Sequence, residues 1–346
     1  MKRRRSPPPS LCLVCAIAII LAVTSSVRAD EPLTQEQVSQ NVANVVERIR
    51  SFEPVEQVND NQMDIYLLDL ESGNIEVAFD DPNLELGTPF WSADGLKIMF
   101  DATPGRKWNQ TQMMMLDATA DDADVTVVGF GNCPTISPNG KQVSYRLNRD
   151  ALPGTEPGVW VQDLNGEELL PLGIIGYPRW SPDGDKILVS GYGFSQLTLV
   201  DVATSEQVEL KLDGLEFRSN PYWVDGSSTI IGLFVSQTDA KIALIEVSQP
   251  DRCRLERVLW TQGDGLNVSI CSPVYSSFTG KCIFSGRTDN GYQLYILDDK
   301  QEGPPQAINH CGPVSYLDEL AMSPDGRYIL FCSSKEIREL LKKQPD

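Results

Sequence analysis

From about residue 64 onward the chain is built of short runs in which apolar and polar residues alternate. Ile98 and Phe100, Val143 and Tyr145, Ile187 and Val189, and Ile329 and Phe331 each stand two apart. That is the period of a strand with one buried face. Each pair begins three residues after a glycine that closes a recurring segment. The segment reads Pro89-Phe-Trp-Ser-Ala-Asp-Gly95, then Pro134-Thr-Ile-Ser-Pro-Asn-Gly140, then Pro178-Arg-Trp-Ser-Pro-Asp-Gly184. Looser copies follow at Pro221-Tyr-Trp-Val-Asp-Gly226, Pro273-Val-Tyr-Ser-Ser-Phe-Thr-Gly280 and Leu320-Ala-Met-Ser-Pro-Asp-Gly326. A Pro-Asp-Gly turn ahead of an alternating run predicts a β-hairpin, with the glycine supplying a positive φ.

Successive glycines lie 45, 44, 42, 54 and 46 residues apart, room for four short strands per unit. Apolar runs at 113–116, 159–163, 197–201, 242–246 and 294–297 predict the third strands, each followed by a polar turn and a weaker fourth. A sixth such pair lies ahead of the first hairpin, at 64–70 and 75–79, whereas no third strand follows the last hairpin. Six hairpins offset by half a unit from six strand pairs predict a closed ring, an all-β six-bladed propeller. Its N-terminal strands should pair with the C-terminal hairpin and leave no open sheet edge.

Ahead of the strands, Val38, Val42, Val45, Val46, Ile49 and Phe52 fall at helical spacing and predict a short helix with one apolar stripe. Docking of that stripe on the propeller is the expectation. Residues 1–29 read as a signal peptide: Lys2, Arg3, Arg4 and Arg5 precede an apolar stretch from 11 to 23, with Val27, Arg28 and Ala29 at a cleavage site. The expected organisation is a signal peptide over 1–29, helix and linker over 30–60, propeller over 61–334 and a short helical tail over 335–346. Export by the general secretory route to the periplasm or the extracellular space follows, with no membrane span after cleavage.

The motif Pro-x-Trp-Ser-Pro-Asp-Gly followed by Ile-x-Phe resembles the repeat of the TolB-like, WD40-like (PD40) propeller family, over residues 64 to 334. That resemblance implies the propeller fold, which serves in some proteins as a binding platform and in others as part of an enzyme. TolB itself carries an α/β domain ahead of its propeller; with only about 34 residues between Asp30 and the first strand, no counterpart of that domain is expected here.

Composition narrows the chemistry. The formal charge is −19 and the pI about 4.5, so nucleic acid is not the expected partner. A single histidine, His310, excludes sites built from several imidazoles. No Gly-x-Ser-x-Gly elbow is present. No catalytic or metal-ligating residue is therefore assigned and no cofactor is expected; calcium is the one ion that the acidic turn Asp121, Asp122 and Asp124 suggests.

Strand order places the Pro-Asp-Gly turns on one face, the turn face, and the longer loops between second and third strands on the other, the loop face. Arginines and aromatics gather on the loop face: Arg106, Trp108, Arg146, Tyr177, Arg179, Tyr192 and Arg218 are the candidate binding residues for a protein or peptide. Asp101, Asp150, Asp213 and Glu216 are read as loop acids that dilute this patch. Trp91, Ile136, Trp180, Trp223, Tyr275 and Met322 occupy equivalent repeat positions and are read as packing between blades. Cys271 with Cys311, and Cys253 with Cys282, are the candidate inter-blade disulfides, with Cys133 and Cys332 reduced. The leading expectation is a non-catalytic exported scaffold of the cell envelope. The alternative is a metal-assisted carbohydrate- or lactone-processing enzyme with its site in the channel.

Overall fold

The computed structural model describes residues 32–55, 62–121, 124–167, 169–194, 196–212, 214–224, 226–236, 239–263, 272–301, 303–308 and 311–342. Six antiparallel sheets make six blades. Blade 1 holds Leu84–Trp91, Lys97–Pro104, Gln112–Asp117 and Thr126–Phe130; blade 2 holds Asn132–Ile136, Gln142–Leu147, Gly158–Asp163 and Leu169–Pro171. Blade 3 follows with Tyr177–Trp180, Lys186–Ser190, Leu197–Asp201 and Gln207–Glu209. In blade 4 the first strand is split into Glu216–Phe217 and Tyr222–Trp223, before Thr229–Val235, Ala240–Glu246 and Arg254–Thr261. Blade 5 comprises Val274–Ser276, Lys281–Thr288, Gly291–Asp298 and Gln306–Ala307.

Blade 6 closes the ring. Its inner strands Leu317–Met322 and Tyr328–Ser334 come from the end of the chain, and its outer strands Met63–Asp69 and Ile75–Phe79 from the start. Tyr66 faces Phe331 and Leu68 faces Ile329 in unbroken antiparallel register, and the rings of Tyr66 and Phe331 stack at 5.6 Å. The half-unit offset read in the sequence is this seam. Charge pins both of its ends: Arg327 grips Asp69 at 3.0 Å, while Arg338 reaches buried Asp64 at 2.9 Å and Asp80 at 2.6 Å. Arg338 sits on the C-terminal helix Glu336–Leu341 (α2), which packs Ile337 into the layer between blades 5 and 6.

The Ser-Pro-Asp-Gly motif recurs because it is a small hydrogen-bonded clasp. The Ser92 hydroxyl donates to Asp94 at 2.5 Å and accepts from the Lys97 amide at 2.8 Å, and Asp94 takes the Leu96 amide at 3.0 Å. The same bonds repeat at Ser181/Asp183 and Ser323/Asp325, and with an asparagine at Ser137/Asn139. Gly95, Gly140, Gly184 and Gly326 take φ between 70° and 78° there, as a residue without Cβ can do at no steric penalty.

The core is divided into six layers, one between each pair of neighbouring blades. The N-terminal helix Gln35–Arg50 (α1) buries Val42, Val45, Val46 and Ile49 in the layer that joins blades 6 and 1. Asn41 donates to the Asp94 carbonyl at 2.8 Å, and a Cβ on Gly95 would lie 2.8 Å from Val42, so the helix rests directly on the first turn of the repeat. The apolar stripe is thus docked, as its spacing predicts. The signal segment lies outside the described residues.

The proposed Cys253–Cys282 bond fails on this layering. Cys253 packs between blades 3 and 4 and Cys282 between blades 4 and 5, and both are free thiols. Cys311 is a buried free thiol, Cys133 and Cys332 are likewise free, and Cys271 lies outside the described residues.

Candidate functional site

The channel is plugged halfway. Arg179, on the first strand of blade 3, lays its guanidinium over the ring of Tyr222 from blade 4 at 4.8 Å and beside Phe90 of blade 1 at 6.0 Å. The Tyr222 hydroxyl donates to the Leu320 carbonyl of blade 6. Four blades meet at this partition, and a separate vestibule opens on either side of it.

The loop-face vestibule has a volume of about 530 Å³ and draws its walls from blades 1, 2, 3 and 6. Three of the seven candidate residues line it directly: Trp108, Arg146 and Tyr177. Tyr192 joins them, since Arg146 lies over the rings of both Tyr177 (5.0 Å) and Tyr192 (5.4 Å), which themselves meet edge to face. Asn148 ties this group together, accepting from Arg146 at 3.0 Å and donating to the Trp108 carbonyl at 2.7 Å. Trp108 and Tyr192 remain 55% and 59% exposed, so an aromatic and guanidinium wall faces solvent.

The other three candidates lie elsewhere. Arg106 and Arg218 project from the rim and pair with Glu85 and Glu216. Arg179 is 95% buried and belongs to the partition. A strand advances about 3.3 Å per residue, so two residues beyond Tyr177 carry Arg179 below the mouth. Reading it as a loop-face residue was thus mistaken.

A second group was not legible as a site. Asp101, read as a loop acid, is buried at the vestibule floor. It accepts the Cys133 amide at 2.8 Å and the Thr88 hydroxyl at 2.5 Å, and Glu319 accepts the Thr88 amide at 2.8 Å. Two carboxylates thereby stitch blade 6 to blade 1 and blade 1 to blade 2. Gly87 permits their approach, because a Cβ there would lie 2.8 Å from Asp101 and 3.3 Å from Glu319. Thr88, Cys133 and Glu319 hold φ of 43°, 52° and 59° at corresponding bulges of their first strands. Left-handed backbone at non-glycine residues, one of them β-branched, is strained, and such strain gathers at functional sites.

Burial, then the neighbouring Glu319, pushes the Asp101 carboxyl up to about 6. Burial likewise raises Glu319, and takes Asp318, beside Ser285, to about 6. Burial and the Asp101 charge push the Cys133 thiol up to about 12, so it is not a nucleophile at neutral pH. His310 lies outside the described residues, as does Asp122 of the acidic turn. Among the described residues no three His, Cys, Asp or Glu side chains converge as a metal site would require.

On the turn face the repeat positions Trp91, Ile136, Trp180, Trp223, Tyr275 and Met322 do pack against their neighbours, yet all six also line a vestibule of about 570 Å³.

No family model matches the chain, and no curated protein matches it in sequence. Among solved structures, a putative TolB from Agrobacterium tumefaciens superposes with a TM-score of 0.58 at 16% identity, over 79% of this chain and 98% of that one. TolB from Acinetobacter baumannii gives 0.51 at 14% identity, over 86% and 69%. At such identities the likeness is one of fold: the chain shares the six-bladed propeller architecture of these TolB structures. No helix among the described residues is long and apolar enough to cross a membrane.

Proposed function

We propose that this propeller is an exported, non-catalytic scaffold that binds a protein or peptide at its loop-face vestibule. The observation that carries the reading is Arg146 held between Tyr177 and Tyr192 beside exposed Trp108. Arginine and large aromatics that are fixed before binding lose little side-chain entropy on contact, and they dominate the energetics of protein recognition. Among the described residues, none of these four side chains joins a core layer or an ion pair with a carboxylate. Export rests on the basic and apolar leader.

A second reading, the metal-assisted carbohydrate- or lactone-processing enzyme, has Asp101 and Glu319 in its favour, since acids raised toward neutrality exchange protons readily. Both are turned onto backbone amides of adjacent blades, however, and their geometry is already accounted for by joining those blades.

Site-specific photo-crosslinking in the native envelope tests the proposal. A benzophenone side chain at position 108 or 192 should capture the same partner, and Arg146→Ala should remove both products. Equal capture from a turn-face position such as 278, or none from 108 and 192, overturns it.

A further inference from the structure

The turn-face vestibule carries an unusual charge distribution for so acidic a chain. Its wall is an aromatic and aliphatic ring with prolines and serines at the rim, and among the described residues that line it there is no carboxylate and one cation, Arg179. That cation forms part of the floor. It is 95% buried and, among the described residues, has no carboxylate within ion-pair distance. Of the five N–H donors of a guanidinium, Nη1 serves the Pro178 carbonyl at 3.1 Å and Nη2 the Tyr222 hydroxyl at 3.3 Å, while Nε has no partner. The charge of buried Glu319 reaches this guanidinium, but that carboxylate accepts the Thr88 amide and lies beyond ion-pair distance, so Arg179 lacks the hydrogen-bonded anion that is the usual remedy for burying a guanidinium.

We infer that this vestibule is a binding site for a small organic anion: a carboxylate on a flat apolar body. The carboxylate would meet the Nη donors of Arg179 at the floor, where a planar acceptor matches the fork geometry. The apolar body would lie within the ring of Trp91, Trp180, Trp223 and Tyr275. A volume of about 570 Å³ admits a one- or two-ring acid. The site lies across the Arg179–Tyr222 partition from the loop-face mouth, so it does not depend on the function proposed above.

The test uses the full chain and one isosteric probe pair, 2-naphthoate and 2-naphthamide, titrated at pH 7.5 by calorimetry. A charged hydrogen bond at a desolvated arginine should make the acid bind at least about tenfold more tightly than the amide. Arg179→Met should abolish that preference, and Arg149→Met, at an exposed arginine that lines neither vestibule, should leave it intact. Equal binding of acid and amide, no saturable binding of the acid at millimolar concentration, or a preference lost with Arg149→Met would each overturn the inference. The comparison of acid with amide in the unaltered protein decides the matter even if Arg179→Met does not fold.

Discussion

The two vestibules open on opposite faces of the same propeller and differ in almost everything else. On the turn face, one repeat position supplies the whole ring, and the clasp behind it is the same hydroxyl–carboxylate pair at Ser92, Ser181 and Ser323. On the loop face the walls come from unrelated positions in four blades, the backbone is bent into left-handed bulges at three of them, and buried carboxylates take up the strained amides. Acids reflect the contrast: the Ser181 hydroxyl holds Asp183 below the usual carboxylate range, while burial lifts Asp101 and Asp318 to about 6. Repetition built the first mouth, and divergence from the repeat built the second. Specific recognition is expected where the repeat has been abandoned.

The contrast breaks most severely at the seam that both mouths share. Arg338→Met should strip buried Asp64 of its partner and loosen the blade 6 wall, which supplies Met63 and Glu319 to the loop-face mouth. A loss of roughly 3–5 kcal/mol is expected, measured as a lower urea midpoint with unchanged slope.

Acidity sharpens the contrast by a smaller margin. Folded Asp101 and Asp318 keep their protons up to about pH 6, whereas in the unfolded chain they lose them near 3.8. Between these values the folded state binds more protons, so their contribution is full below pH 3.8 and is lost as the pH rises through 6. At about 1.4 kcal/mol per pH unit, each is expected to withdraw up to about 3 kcal/mol. The double variant Asp101→Asn, Asp318→Asn should flatten the fall in stability between pH 4 and pH 7. An unchanged slope would place the effect elsewhere.

Smallest is the effect at the bulge. Thr88→Val keeps the shape but withdraws the hydroxyl from Asp101, a loss of about 1–3 kcal/mol for a carboxylate that stays buried. Thr88→Ser should restore most of it. Were Val and Ser equally stable, that hydrogen bond would not be holding blade 1 to its neighbour.

How far these features could be read in advance depended on whether they were local. The hairpins, the third strands and the stripe on α1 are properties of neighbouring residues, and their spacing alone reveals them. Asp101 and Glu319 are a different matter. They meet only because blades 1 and 6, far apart in sequence, are joined by closure, and no spacing within a repeat marks either one. The Cys253–Cys282 pairing failed for the same reason, since proximity in the repeat does not give proximity across a blade.

The sequence by itself determined the blade count, the strand order and the seam at Tyr66 and Phe331, because a twofold alternation repeated six times admits few arrangements that bury every apolar face. Only the tertiary structure decided that the channel is partitioned, that Arg179 looks away from the loop face and that the six ring positions enclose a vestibule. Those outcomes depend on where the inner strands of different blades converge around one axis, a distance set by the closed ring and carried by no single segment.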